Sequence, residues 1–169
     1  MRRTLVLTGS LLLLWTIVAQ LNDALSALQL HVFAGALFVA FTALTQPRRA
    51  GLAAVMLGGL ICDANAPVGF GTHMLLFAAA HVTLFHIRDR VPRHDNVMAT
   101  VVVLLTNLAL FLVFSFTQIH ESPAPAAIWP RLIADLVCSQ VFLVIVTPWF
   151  FALQAGGLAL ARSPRDDAA

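Results

Sequence analysis

Six long apolar runs, parted by short breaks that carry half of the arginines, limit what this chain can become. They cover roughly residues 4–21, 24–45, 50–66, 68–87, 97–119 and 129–160. Inside a bilayer every backbone N–H and C=O must find its partner within the protein, which leaves helices and closed β-barrels. Barrel strands alternate apolar and polar residues, whereas these runs are apolar throughout. The expected fold is therefore an all-α membrane protein, a bundle of six transmembrane helices forming one domain over residues 1–160. Residues 161–169 read as a small, charged cytoplasmic tail. Composition agrees, with 60% hydrophobic and 11% charged residues, where soluble chains carry about 25% charged.

The arginines give a direction. With the N-terminus in the cytoplasm, Arg2, Arg3, Arg48, Arg49, Arg88, Arg90, Arg93, Arg162 and Arg165 fall on the inner side, and only Arg131 on the outer. Cytoplasmic loops carry such an excess of basic residues. The expectation is a multi-pass protein of the bacterial inner (cytoplasmic) membrane with both termini cytoplasmic. A basic start followed by an apolar run also describes a signal peptide. This run is long and lacks a clean small-x-small cleavage site, so it reads as a retained helix. The net charge is only +2, and no basic patch interleaves with aromatics, so nucleic acid is not an expected partner. Cys62 and Cys138 have no metal-ligand spacing and read as small buried hydrophobes.

Gly58 to His73, GGLICDANAPVGFGTH, is the most informative stretch. It reads as two membrane helices joined by a tight turn, with an acid at the turn and glycines for close packing. Asp63 sits where it can cap the helix that starts near Gly69 and Gly71, since acids are favoured at helix N-termini. An ionisable group at membrane depth is also a candidate packing or partner determinant. Gly59, Gly69 and Gly71 supply the small surfaces that let helices approach closely. Asp135 has Arg131 four residues earlier on the same helix face, the spacing of an ion pair. Cys138 and Ser139 share that face and point it inward. His31, His73 and His81 lie within runs, but no H-x-x-x-H or H-x-E pair occurs, so no metal is expected. Asn107 and Gln140 read as amides that hydrogen-bond across helices. No Walker loop, G-x-S-x-G or H-E-x-x-H is present. The reading is a protein without catalytic residues, cofactor or metal.

The pattern resembles the rod shape-determining protein MreD family. Members share a short third helix with a glycine four residues before an aspartate and a second glycine about eight residues after it. Gly59, Asp63 and Gly71 fit that spacing. The arginine loop Arg88–Arg93 and a sixth helix opening on Trp129-Pro130 are also similar, and the likeness spans about residues 4–155. Pro67 falls where many members carry glycine or a small polar residue. The resemblance implies a non-enzymatic scaffold subunit of the cell-elongation complex (elongasome), acting in cell shape and peripheral peptidoglycan synthesis. Its implied partners are an MreC-like periplasmic scaffold protein, an MreB-like filament and the RodA/transpeptidase machinery. The family's fold looks like the S-components of vitamin transporters, which supplies the alternative: a substrate-binding transporter subunit. The Ala-x-x-x-Ala docking motif typical of S-components is absent between Thr4 and Leu21.

Overall fold

The shortest helix lies at the centre. In the computed structural model, which describes residues 2–64, 69–90, 96–121 and 125–160, six α-helices follow one another: α1 (Arg2–Leu25), α2 (Gly35–Thr45), α3 (Arg48–Asp63), α4 (Thr72–Ile87), α5 (Asn96–Glu121) and α6 (Pro125–Leu160). Short 3-10 turns occupy Ser26–Leu28 and Arg88–Arg90, and no strand occurs among the described residues. The expected turn at Pro67, much of the polar stretch after Arg90 and the tail at 161–169 lie outside the described residues.

Every residue from Ala36 to Ala43 in α2 is buried. A helix apolar on all sides is stable only when other helices surround it. Here α3, α4, α5 and α6 do so. Phe41 packs edge-on against Phe150 and Phe151 of α6. Thr42, the one polar residue in that buried run, returns its hydroxyl to the carbonyls of Phe38 and Val39. That is how a helical threonine hides its donor.

Three helices, α1, α5 and α6, hold stretches long and apolar enough to cross a membrane. The helices α3 and α4 have 16 residues each, a rise of about 24 Å against a hydrocarbon core of about 30 Å. They pack closely as a hairpin, helped by the small face of α3: Gly51, Ala54, Gly58 and Gly59 are all buried.

The expected helix over 24–45 is the main departure. The helix α1 does not stop at Asn22-Asp23 but continues to Leu25. The chain then reverses through Ser26–Leu28 with Gln29 in the left-handed region at φ 56°. Residues 30–34 are non-helical, and α2 begins only at Gly35. Apolar content cannot distinguish a full helix from an extended stretch feeding a half-length one. The deciding partners are side chains elsewhere in the chain.

Candidate functional site

Two polar clusters occupy one end of the bundle, where α1 and α3 finish and α4 starts. The first is built on Asp63. The first turn of α4 has backbone N–H groups without intrahelical acceptors. Its N-cap, Gly71, has no side chain to offer and stands at φ 96°, a conformation that favours glycine. Asp63, on the neighbouring helix, serves instead. Its Oδ1 accepts the His73 N–H at 2.8 Å, and its Oδ2 accepts the Met74 N–H at 3.1 Å. The His73 ring closes the cluster, with Nδ1 at 2.9 Å from the same Oδ1. A carboxylate only accepts, so Nδ1 carries the proton of this contact. Asp63 is buried within the hairpin, at 4% exposure, rather than lying in open water.

Gly59 stands one helical turn before Asp63 and makes this geometry possible. A Cβ there would lie 2.4 Å from Met74 Cα and 2.6 Å from Met74 N. These are backbone atoms that no rotamer change can move. Gly59 therefore lets the backbone of His73 and Met74 come close, and Asp63 satisfies the donors thus brought in. Gly69 differs. Its carbonyl accepts the Thr72 N–H and hydroxyl, but an added Cβ would meet only Thr72 Oγ1, at 3.6 Å.

The second cluster holds the extended segment before α2. The Asn22 carboxamide accepts the Val32 N–H at 2.7 Å and donates to the Val32 carbonyl at 3.0 Å. It thereby occupies both groups as a neighbouring strand would. From α6, Asp135 Oδ1 accepts the His31 N–H at 2.7 Å, and Ser139 Oγ accepts the Phe33 N–H at 2.9 Å. The Ser139 hydroxyl donates in turn to the Asp135 carbonyl. Three side chains on two helices thus complete a backbone that has no ladder of its own.

Among the described residues, Arg131 and Asp135 do not form the ion pair their spacing predicts. Magnitudes explain the choice. An exposed ion pair contributes about 0.2–1 kcal/mol, while a backbone N–H left without an acceptor costs up to about 1–3 kcal/mol as its burial grows, and the His31 bond is part-buried. Arg131 is exposed and Asp135 buried, so the carboxylate serves the His31 N–H. Arg131→Ala is therefore expected to change stability by less than about 0.5 kcal/mol. Asp135→Ala should lose about 2 kcal/mol, and Asp135→Asn, whose amide oxygen still accepts, clearly less. Reversible unfolding of the three variants in mixed micelles checks the order, and a large loss for Arg131→Ala would restore the ion pair.

Sequence reasoning missed Asn22 and the His31–Phe33 backbone. Only the i, i+4 placement of Asp135 and Ser139 hinted at an inward polar stripe on α6. Deeper in the bundle, His81 is fully buried, with Nδ1 3.4 Å from Thr42 Oγ1. Gln140 donates across to the Leu104 carbonyl. The Asn107 amide, expected to bridge helices, has no hydrogen-bond partner among the described residues.

Between the two clusters lies a cavity of about 320 Å³. One side is α1, from Leu11 to Asn22; the other is the segment His31–Gly35 with Cys62, His73 and Phe77. No group of three His, Cys, Asp or Glu side chains among the described residues could hold a metal ion. No protein-family model, curated protein or solved structure matches the chain.

Proposed function

We propose that the protein is a scaffold subunit of a bacterial cell-elongation complex, spanning the inner membrane six times with both termini cytoplasmic. The observation that carries this reading is the joint between α3 and α4. Gly59, Asp63 and Gly71, the residues on which the resemblance to the MreD family rests, act together there on one helix start: close approach, cap and turn. Such a joint fixes the relative placement of two helices, which is what a scaffold offers its partners. Apolar side chains exposed along α5 and α6, among them Leu105, Phe116, Val137, Val141 and Ile145, face lipid or the helices of those partners. The arginine-bearing inner loops meet anionic lipid.

The test is co-purification of an MreC-like partner with Asp63→Ala and with Asp63→Asn, using helicity to verify folding. At least a tenfold fall in partner yield for Asp63→Ala is expected, and an unchanged yield would argue against the scaffold role. Depletion should abolish rod shape. The cavity favours the alternative of a substrate-binding transporter subunit. Loss of vitamin uptake with normal shape would support that alternative.

A further inference from the structure

The cavity beside α1 is bounded by that helix along much of its length. Its α1 wall runs from Leu11 to Asn22, a length of about 16 Å at the helical rise. Its volume is about 320 Å³, far less than a helix about 10 Å in diameter would fill over that length.

Chemistry is distributed along the slot in the same sense. Leu11, Leu14, Val18 and Phe77 make its deep part apolar. The end where α1 finishes carries Asn22, His31 and His73. Asn22 Nδ2 lies 3.5 Å from His31 Nε2, and it is already committed to Val32. His73 is fixed through Nδ1 by Asp63, so Nε2 is the nitrogen left for another group. The imidazoles of His31 and His73 thus remain to meet a polar end. A molecule polar along its whole length would leave its other groups unpaired against the apolar wall. Depth agrees as well, because about 16 Å of helix is close to half of a hydrocarbon core of about 30 Å, the reach of one leaflet.

We infer that this cavity binds an alkyl chain, with its hydrogen-bonding head at Asn22, His31 and His73. The chain belongs either to a membrane phospholipid or to a free fatty acid. Neither source requires the scaffold role, so the two proposals stand or fall separately.

The experiment uses the full chain, delipidated in CHAPS, a detergent without a straight alkyl chain, and examined by native mass spectrometry. One arm adds dodecanoic acid and the other dioleoylphosphatidylglycerol. The expected result is one retained molecule per protein, reduced at least tenfold in Ala19→Phe, which fills the slot from α1, and weakened in His31→Ala. Retention in the first arm alone assigns a free fatty acid; retention of the phospholipid assigns a membrane lipid. No one-to-one adduct in either arm, or equal retention by a folded Ala19→Phe, overturns the inference. Should Ala19→Phe not fold, Cys138→Ser leaves Cys62 as the sole thiol, on the wall of the slot. Its alkylation by N-ethylmaleimide should slow at least tenfold when the retained molecule is added, and an unchanged rate overturns the inference.

Discussion

Gly59→Ala is expected to destabilise the protein by about 3 kcal/mol, and Gly59→Val by more. The added methyl carbon would stand 2.4 Å from Met74 Cα and 2.9 Å from the His73 carbonyl carbon. Contacts this short between carbon atoms do not persist, so α3 and α4 must separate. Separation stretches the two backbone bonds from Asp63 to the start of α4, so the loss exceeds simple overpacking. Gly58 is the control next to it. There the obstructing atom is Leu11 Cδ2, the far end of a flexible side chain, also at 2.4 Å. Gly58→Ala should therefore cost clearly less than Gly59→Ala. Chemical unfolding in mixed micelles separates the two, and equal losses would show that backbone approach at Gly59 is not the controlling contact.

Asp63→Ala is expected to lose about 2–4 kcal/mol. It strips acceptors from the His73 and Met74 N–H groups together, and each buried orphan donor costs about 1–3 kcal/mol. The first turn of α4 also loses a negative charge from its positive end. Asp63→Asn keeps one carbonyl oxygen and should retain part of the stability. Hydrogen exchange localises the effect: protection should fall at His73 and Met74 before it falls in the middle of α4. Uniform loss of protection across α4 would mean that Asp63 supports the fold globally and does not cap this end.

The contrast between Asp63 and the extended segment shows what a reader of residues alone can see. Asp63 was legible because its partners follow ten and eleven positions later, in a glycine-marked turn whose helix start needs an acceptor. The small face of α3 was legible for a similar reason, since its glycines recur on one helix. The segment before α2 was not. Its backbone is completed by Asp135 and Ser139, 104 and 106 positions from the residues they serve, and hydropathy carries no trace of that pairing. The local rule that joined Arg131 to Asp135 failed because a competing demand, made by the part-buried backbone N–H of His31, lay outside the reach of the rule. Asn22 reads as a break by composition, yet it remains helical because its amide is engaged with Val32.

A ribosome makes this chain from its first helix to its last, and that order interacts with the central position of α2. Eleven residues rise only about 16 Å, too little for α2 to be held across a bilayer by its own apolar content. The stretch leading into it gains two of its three supporting side chains only when α6 has been synthesised. Synthesis of the first four helices therefore yields an incomplete intermediate, with the His31 and Phe33 N–H groups still without their acceptors on α6. Closure of the bundle is a late event, in which the carboxy-terminal helix locks a segment made near the beginning.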